Sequence, residues 1–346
     1  MSLFMITERT KQIGVLITTA LLIIAAVAYW LFFSAFAPNE RPVYVCIDAD
    51  DTPDSVYVKL NEVAAPSQLV GIKICGAVMG YQAERIHPGR YEVTPGINSF
   101  SLMRKLRGGQ QTPVRLVIPV VHTLNDLSAR LATSLAPDSA AFARAFTDSV
   151  LLRRFGVTPE TVACLFLPNT YEVYWDLTPE ELLQRMKREH DAFWTDTRKK
   201  QAEKAGLTTN EVYTLASIVE QESANEAERP LIAGMYLNRL HQEMKLQADP
   251  TVKFALQDFT LRRILHKHLT VDSPYNTYQH VGLPPGPICI PSLNAIRSVL
   301  NFAQHDYLYM CAKEDFSGTH NFAATYDAHL KNAQKYTKAL DERQVK

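Results

Sequence analysis

Residues 208–223 read T-T-N-E-V-Y-T-L-A-S-I-V-E-Q-E-S and carry a complete helix signal. Thr208 is followed three residues later by Glu211, which is the pattern of a capping box. We therefore expect a helix from Asn210 to about Ser223. Apolar residues recur at helical spacing along it, so one face should lie in a core. The expected core stripe consists of Val212, Leu215, Ala216 and Val219.

Two carboxylates, Glu220 and Glu222, close this stretch. A Glu that packs against apolar neighbours loses hydration of its charged form, so its pKa rises and it can hold a proton near neutral pH. At about 100° per residue, Glu222 lies about 200° round the helix from Glu220, so the two should not face each other. Periodicity favours Glu220 as the partly desolvated acid and Glu222 as a hydrogen-bonded or solvated neighbour. It leaves open that Glu220 is an exposed structural residue.

Residues 13–36 form an uncharged apolar segment near the N-terminus. At about 1.5 Å per residue, such a helix can cross a hydrocarbon core of about 30 Å. Arg9 and Lys11 precede the segment and acidic residues follow it. The positive-inside rule therefore predicts residues 1–12 as a cytoplasmic tail, residues 13–36 as a transmembrane anchor, and the rest outside. A cleaved signal peptide is the alternative, although the run exceeds the apolar core of about 7–15 residues that such peptides have.

The overall composition excludes several classes of protein. Lys plus Arg equals Asp plus Glu at 36 each, without a block of like charge, so no nucleic-acid partner is expected. The five cysteines are widely spaced and should be small buried hydrophobes with at most one bridge. Among the ten histidines there is no H-E-x-x-H pattern, and His266 and His268 would point to different sides of a helix. We therefore expect no metal ion and no other cofactor.

The exported part should have an α+β fold, because strand-like and helix-like stretches follow one another. Residues 37–110 predict a membrane-proximal α+β region with a strand at 41–47 and a helix that starts at Asn98 or Ser99. Residues 111–205 predict a linking region of helices and a strand, and residues 206–346 a mixed α+β catalytic domain. About 310 residues suffice for two domains of about 150 residues.

Several dispersed motifs follow one another in a fixed order from residue 165 to residue 325. Together they resemble the endolytic murein transglycosylases, the MltG or YceG-like family, over about residues 85–336. The motifs are L-F-L-P-N-T-Y (165–171), A-S-I-V-E-Q-E-S (216–223), E-R-P-L-I-A-G-M-Y-L-N-R-L (228–240), M-K-L-Q-A-D-P-T-V (244–252), S-P-Y-N-T-Y (273–278), G-L-P-P-G-P-I (282–288), P-S-L-N-A-I (291–296), Y-L-Y (307–309) and G-T-H (318–320), with Phe322 and Thr325 after them. The chain departs from the pattern at residues 118–122, which read I-P-V-V-H where the family usually has I-P-E-G.

The resemblance implies Glu220 as the catalytic residue. Further matched positions imply a substrate-binding cleft, and they are Glu222, Asn238, Gln247, Asp249, Tyr275, Asn276, Tyr278 and His320. Several have a structural alternative: Asp249 could cap the helix that follows it, Asn238 could be a buried polar tie to the helix of Glu220, and His320 could be a structural hydrogen-bonding residue. The residues Tyr275 to Tyr278 could form a turn that is simply packed by aromatic rings.

The chemistry implied by the resemblance is that of a peptidoglycan lytic transglycosylase, which is a lyase. Protonated Glu220 would donate to the oxygen between N-acetylmuramic acid and N-acetylglucosamine, and would then take a proton from the muramic C6 hydroxyl as it attacks C1. The product is a 1,6-anhydro end, and no second carboxylate is required. Two alternatives stay open: a lysozyme-like muramidase in which Asp249 or Glu222 positions a water, and a non-catalytic glycan-binding scaffold of the wall-synthesis machinery.

The same resemblance implies the location and the partners. Region 37–110 resembles a LysM-like module with a groove for amino sugars, although a structural spacer is also possible. The expected partners are peptidoglycan glycan strands, the lipid bilayer through residues 13–36, and peptidoglycan synthases of elongation or division. The chain would then sit in the inner (cytoplasmic) membrane with its catalytic domain on the periplasmic face, where it would terminate nascent strands.

Overall fold

The N-terminal part of the chain is one long helix in the computed structural model, which describes residues 2–343 and the side chains of residues 10–343. Helix α1 spans Ser2–Phe33. Among the described residues, its stretch Thr10–Phe33 is the one helix long and apolar enough to cross a membrane. The predicted anchor 13–36 is thus helical only to Phe33. Phe36 and Ala37, which follow the helix, are buried in a core. Of the predicted tail 1–12, Met1 and the side chains of residues 2–9 lie outside the described part.

The chain divides into two compact units. Unit 1 comprises Met1–Arg115 and Glu172–Leu177, and unit 2 comprises Leu116–Tyr171 and Thr178–Lys346. Most of the predicted linking region 111–205 therefore belongs to unit 2. The domain boundaries at residues 110 and 205 remain predictions from the sequence.

Unit 1 has the element order strand, helix, helix, strand, helix after α1. Its elements are β1 (Val43–Ile47), α2 (Pro53–Asn61), α3 (Gln68–Met79), β2 (Gly89–Val93) and α4 (Ser99–Arg107). Strands β1 and β2 are antiparallel, with Val43 opposite Val93. Their inward side chains form the core with residues of the three helices. Helix α4 begins as predicted, because the Asn98 side chain accepts a hydrogen bond from the Ser101 N–H.

Strands β3 (Val114–Ile118) and β4 (Asn169–Val173) pair with each other, and the chain passes between the units within both strands. The other elements of unit 2 are α5 (Leu124–Ala132), α6 (Ser139–Thr147), α7 (Ser149–Arg153), α8 (Pro179–Phe193), α9 (Asp196–Lys204), α10 (Thr209–Glu222), α11 (Arg229–His241), α12 (Asp249–Leu256), α13 (Leu293–Leu300), β5 (Tyr309–Ala312), β6 (His320–Ala323) and α14 (Tyr326–Glu342). Strands β5 and β6 are antiparallel, with Ala312 opposite His320. The α+β class with one N-terminal apolar helix is confirmed.

Helix α10 lies at the centre of unit 2. Thr208 caps it through the predicted capping box with Glu211, and the predicted core stripe is fully buried. Tyr213, Ser217 and Ile218 are buried as well, so the helix is surrounded on all sides rather than on one face. It packs against α11, α12 and α13. A helix buried in this way can offer its end to a site while the rest of it is held rigidly.

Candidate active site

A cavity of about 290 Å³ opens beside the C-terminal end of α10. Five of the residues predicted for the cleft line it: Glu222, Gln247, Asp249, Tyr278 and His320. The other lining residues are Met235, Tyr236, Arg239, Leu246, Met310, Cys311 and Ala312. We refer to it as the Glu222 cavity, and all of its residues belong to unit 2.

Glu222 is the last residue of α10 and is partly buried. The Tyr236 hydroxyl donates a hydrogen bond of 2.6 Å to its Oε1 atom. Burial raises the pKa of Glu222 to about 7, and the negative charge of Asp249 acts in the same direction. The Tyr236 hydrogen bond and the charges of Lys253 and Arg239 oppose the rise. The carboxyl group can therefore both hold and release a proton near neutral pH.

Glu220 has a different environment. Arg229 Nη2 donates to Glu220 Oε1 at 2.8 Å, and the Ser292 N–H donates to Oε2 at 3.1 Å. The Ser292 hydroxyl also donates to Oε2. The side chains of Glu220 and Arg229 are only 12% and 5% exposed, and Glu220 is not among the residues that line the Glu222 cavity. Both oxygens of Glu220 are thus engaged by protein donors.

Arg229 connects the helix ends near the cavity. Its Nε donates to the Ser223 carbonyl at 3.2 Å, and its Nη1 donates to Ser292 Oγ and Asn294 Oδ1. Ser223 directly follows Glu222, and Ser292 is the N-cap of α13. The Glu220–Arg229 ion pair therefore fixes the backbone that carries Glu222.

Asp249 and Tyr278 form a second hydrogen-bonded pair in the Glu222 cavity. The Tyr278 hydroxyl donates to Asp249 Oδ1 at 2.6 Å. Burial, together with this carboxylate, raises the pKa of the Tyr278 hydroxyl, which therefore stays protonated. Asp249 is the first residue of α12, whose N-cap is Ala248 without a side-chain cap. The capping role considered for Asp249 is thus not observed.

Gln247 lies in the loop that enters α12 and has a left-handed backbone with φ 51°. Its N–H donates to the Thr277 carbonyl at 3.1 Å. Arg239 Nη1 approaches Gln247 Oε1 at 3.4 Å and donates to the Leu246 carbonyl at 2.9 Å. A side chain with a β-carbon adopts this backbone region rarely, and such residues concentrate at functional sites.

His320 is held in the Glu222 cavity by Glu228. Its backbone N–H donates to Glu228 Oε1 at 2.8 Å, and its ring Nδ1 lies 3.1 Å from Glu228 Oε2. Because a carboxylate only accepts hydrogen bonds, this contact requires a proton on Nδ1. When the ring is neutral, Nε2 is then the acceptor that remains for a ligand.

Besides Glu220, three predicted substrate-binding residues lie outside the Glu222 cavity. Asn238 is partly buried and donates to the carbonyls of His305 and Tyr307 at 2.7 and 3.0 Å, so it bonds the segment after α13 and not the helix of Glu220. Asn276 is fully buried and bonds the backbone of its own loop. Tyr275 lines a separate cavity.

Three polar residues at the cavity were not predicted: Tyr236, Arg239 and Glu228. All three lie in the motif at 228–240, in which only Asn238 had a predicted role. Tyr236 lies beneath Glu222 only because α11 packs against α10. A polar side chain within an apolar helix was the available signal, since a buried polar group needs a partner.

The family model described as the YceG-like family matches residues 45–335. The chain belongs to the YceG-like family. The matched range contains all residues of the Glu222 cavity. Two relatives are named endolytic murein transglycosylase. That of Bacillus subtilis is 34% identical over 168 residues, covering 49% of this chain and 46% of the relative. That of Streptococcus pneumoniae strain D39 is 27% identical over 317 residues, covering 80% and 56%.

The chain thus spans about half the length of the curated relatives it matches. A crystal structure of the YceG-like protein lmo1499 from Listeria monocytogenes is 26% identical and superposes with a TM-score of 0.55. The match covers 85% of this chain and 99% of that one. This YceG-like chain therefore shares its fold with that solved YceG-like structure.

Proposed function

We propose that this chain is a membrane-anchored peptidoglycan lytic transglycosylase in which Glu222 is the general acid and base. One observation carries the proposal: a carboxyl group whose pKa is raised to about 7 by burial lines a cavity with other polar side chains. The relatives named endolytic murein transglycosylase support glycan strands of peptidoglycan as the substrate.

Glu222 replaces Glu220 in this proposal because of their surroundings. The sequence resemblance implies Glu220, which stays a prediction. A general acid needs an oxygen within hydrogen-bond reach of the bond to be cleaved. Both oxygens of Glu220 are engaged by Arg229 and Ser292, whereas Glu222 has one oxygen bonded to Tyr236 and lines the cavity.

In the proposed reaction, protonated Glu222 donates to the glycosidic oxygen between N-acetylmuramic acid and N-acetylglucosamine. The C1–O bond breaks, the N-acetylglucosamine leaves with a C4 hydroxyl, and positive charge develops at C1 and the ring oxygen. The Glu222 carboxylate then takes the proton of the C6 hydroxyl, whose oxygen bonds to C1. Glu222 ends protonated again, and the product is a 1,6-anhydro end formed without water.

The other groups of the Glu222 cavity would hold the strand. Tyr278 and Asp249 offer a hydroxyl and a carboxylate to sugar hydroxyls, and the Gln247 amide suits an N-acetyl group. His320, oriented by Glu228, offers Nε2 as an acceptor. The Tyr236 hydroxyl fixes the rotamer of Glu222 and stabilises its charged form, as the second step needs.

A muramidase is the second candidate, because Asp249 raises the pKa of Glu222 and lines the same cavity. Hydrolytic glycosidases usually carry two carboxyl groups, one on each side of the bond that they cleave. In that reaction Asp249 would position a water, and the reducing ends would be heavier than anhydro ends by one water molecule. Mass spectrometry of the digested glycan separates the two reactions.

Digestion of purified peptidoglycan by the wild type, Glu222→Gln and Glu220→Gln tests the assignment of the acid. We expect wild-type products with 1,6-anhydro ends and a loss of about 10²- to 10⁴-fold in rate for Glu222→Gln, because Gln cannot supply a proton. A Glu222→Gln variant that digests at the wild-type rate would overturn the assignment. A wild type that binds strands without cleaving them would support the glycan-binding scaffold instead.

Unit 1 would determine where in the cell the chain acts. Its strand–helix–helix–strand order supports a LysM-like module that binds amino sugars. The apolar helix within α1 would anchor the chain in the cytoplasmic membrane, with the residues that follow it on the periplasmic face. Cleavage near the membrane would terminate nascent strands, and peptidoglycan synthases of elongation or division would be partners.

A further inference from the structure

Helix α3 of unit 1 presents apolar side chains on its exposed face. Val70, Ile74 and Val78 follow one another at four-residue spacing and are 55%, 40% and 81% exposed. Residues four apart lie on the same side of a helix, so the three form one stripe, which we call the α3 stripe. A continuous apolar surface in contact with water costs free energy unless another apolar phase covers it. The α3 stripe therefore needs an apolar partner.

The α3 stripe lies beside the end of the apolar helix α1. The backbone carbonyl of Leu31 contacts Gly71 of α3, and the Gln68 side chain donates to Ser34 Oγ at 2.7 Å. At the other end of α3, Met79 lines a cavity together with the last two residues of α1. The whole length of α3 is thus close to the end of α1.

These contacts define how α3 is oriented relative to α1. Along α1 they fall between Leu31 and Ser34, which is about 5 Å of helix axis. Along α3 they extend from Gln68 to Met79, which is about 17 Å. Helix α3 therefore crosses the end of α1 and does not run alongside it. If α1 spans a bilayer, α3 lies closer to the membrane plane than to the membrane normal.

Two aromatic residues of α1 mark the depth of this crossing. Tyr29 and Trp30 come directly before Leu31, and both are exposed. Tyr and Trp concentrate at the interface between a membrane and water, where one end of the ring is in an apolar environment and the other is hydrated. Because Leu31 is also the residue that contacts α3, the crossing is at the level of the interface.

An apolar cavity of about 240 Å³ lies between the end of α1, the C-terminal half of α3 and the start of α4. Its lining side chains are all apolar, and they are Phe32, Phe33, Cys75, Val78, Met79 and Phe100. The rings of Phe33 and Phe100 lie 5.9 Å apart. Since an engineered apolar cavity of about 150 Å³ admits benzene, this cavity has room for several methylene groups. One residue of the α3 stripe, Val78, belongs to it.

The charged residues of α3 and α4 are all basic. Helix α3 contains Lys73 and α4 contains Arg104, Lys105 and Arg107, while neither helix contains an acidic residue. Lys73 and Arg104 are exposed, and Arg104 lies one turn beyond Phe100 on the same side of α4. Basic side chains can reach lipid phosphates while their stems lie along acyl chains. An apolar surface bordered by cations is therefore complementary to phospholipid.

We propose that α3 is a second membrane contact of the chain, an interfacial helix whose α3 stripe lies among the lipid acyl chains of the leaflet at which α1 ends. Phe100 lies beside it in the same leaflet, and Lys73 and Arg104 contact the lipid phosphates. The cavity at Phe33 takes the end of one acyl chain. Such helices bury their apolar face about 5–10 Å deep. The inference rests on the membrane anchoring of the proposed function, and it adds a contact that sets how the rest of unit 1 is oriented on the membrane.

Photocrosslinking to lipid tests this contact. The full-length chain is placed, one copy per disc, in nanodiscs of phosphatidylethanolamine and phosphatidylglycerol that include a phospholipid with a diazirine in its acyl chain. Adducts are mapped by mass spectrometry after digestion with trypsin. We expect adducts on α1 and on the peptide 74–85, which contains Ile74 and Val78. Val78→Glu should reduce the adducts on this peptide about tenfold, because a charge among acyl chains is costly, and leave those on α1 unchanged.

Two variants provide matched controls. Val78→Leu keeps the position apolar and should retain the wild-type adducts on the peptide 74–85. Val150→Glu makes the same change as Val78→Glu at an exposed valine of α7, outside unit 1, and should also retain them. Because both valines are mostly exposed, the thermal unfolding of all three variants should match that of the wild type.

The outcomes separate this inference from the proposed function. Adducts on α1 without adducts on the peptide 74–85, or adducts there that Val78→Glu does not reduce, would overturn the interfacial role of α3 and leave the anchor in place. A chain without adducts on α1 would lose the anchor and this inference with it, whereas cleavage of peptidoglycan by the same nanodiscs tests the catalytic proposal independently. Adducts on the peptide 74–85 that disappear in discs with two copies would assign the α3 stripe to a second copy and overturn the proposal.

Discussion

At the scale of the residue, opposed contributions from burial and hydrogen bonding set the pKa of Glu222. Burial favours the neutral acid, whereas the Tyr236 hydroxyl, which donates at 2.6 Å, favours the carboxylate. A pKa of about 7 results from these opposed contributions. Proton donation requires the acid form and proton uptake requires the charged form, so a pKa near the working pH suits both steps.

Tyr236→Phe should shift the pH dependence of cleavage. Without the hydroxyl, the carboxylate loses a donor and the pKa of Glu222 rises, so the alkaline limb of kcat should move upward by about one pH unit. The measurement is kcat against pH on isolated glycan strands, with Tyr326→Phe, an exposed tyrosine outside the Glu222 cavity, as the control. An alkaline limb that stays in place would contradict Glu222 as the titrating acid.

Glu222 should also make the stability of the chain depend on pH. Its pKa is raised in the folded state from the ordinary value of 4.5 to about 7, so the folded chain binds more protons between these values. The stabilising contribution is fully present below pH 4.5 and is lost as pH rises towards 7. Glu222→Gln should therefore gain about 1–3 kcal/mol over the wild type at pH 8 compared with pH 4.

Thermal unfolding at both pH values measures this difference. Glu203→Gln, which changes an exposed carboxylate on α9, is the control and should behave like the wild type. An equal difference between Glu222→Gln and the wild type at pH 4 and pH 8 would show that the pKa of Glu222 is not raised by folding.

The candidate site could be predicted from the sequence only in part. The motif with two carboxylates was found, and five predicted residues meet in one cavity. Periodicity favoured Glu220 because it lies nearer the apolar stripe, but α10 is buried on all sides, so closeness to that stripe does not distinguish the two. Which carboxylate faces a cavity depends on Tyr236 and Arg229, which come from α11.

At the scale of the element, the ends of α10, α11 and α13 meet at one buried ion pair. Arg229 bonds Glu220, the Ser223 carbonyl and the side chains of Ser292 and Asn294. Removing one partner of a buried pair leaves the other charge without compensation, which usually costs about 3–5 kcal/mol. The ion pair therefore supports the helix end that carries Glu222.

Arg229→Met should destabilise the chain by about 3–5 kcal/mol, because it leaves Glu220 buried without its cation. The double variant Arg229→Met with Glu220→Gln should recover part of that loss, since no buried charge remains. Denaturant unfolding provides the measurement, and Arg297→Met, at an exposed position of α13, provides the control. A double variant as unstable as Arg229→Met would argue against the ion pair as the cause.

Helix starts that are marked by a capping residue were predicted well. Breaks within a continuous helical pattern were not predicted. The capping box at Thr208 and the N-cap at Asn98 predicted the starts of α10 and α4 to within one residue. The helical patterns of residues 138–155 and 178–204 each predict one uninterrupted helix, and in the structure each stretch is broken in two. Asp148 caps a new helix at the first break, and the Thr195 side chain caps α9 at the second. Short polar residues within a helical pattern can act in this way because their side chains compete for backbone N–H groups.

At the scale of the whole molecule, the apolar helix and unit 1 are continuous. Phe36 and Ala37, just beyond the end of α1, are 0% and 3% exposed in the core of unit 1. The backbone carbonyl of Leu31 lies so close to Gly71 of α3 that a β-carbon there would lie 2.2 Å from its oxygen. The last turn of α1 therefore packs on unit 1 as part of its structure.

Phe36→Ala should destabilise unit 1 by about 3–5 kcal/mol, because it removes a fully buried ring. Phe33→Ala, at a half-exposed position one turn earlier, should cost much less. Hydrogen exchange in unit 1 of the detergent-solubilised chain measures the difference. Equal protection in the two variants would mean that Phe36 does not contribute to the core.

The packing of Leu31 on Gly71 has a mechanical consequence. A flexible linker would let an attached domain take many orientations and distances relative to its anchor point. A helix that packs within unit 1 allows the unit only to rotate and diffuse together with the helix. If α1 spans a bilayer as proposed, the rest of unit 1 would stay at a constant height and diffuse only in the plane of the membrane. Gly71→Ala would push the last turn of α1 away from α3. The attachment of the helix to the rest of unit 1 would then become flexible.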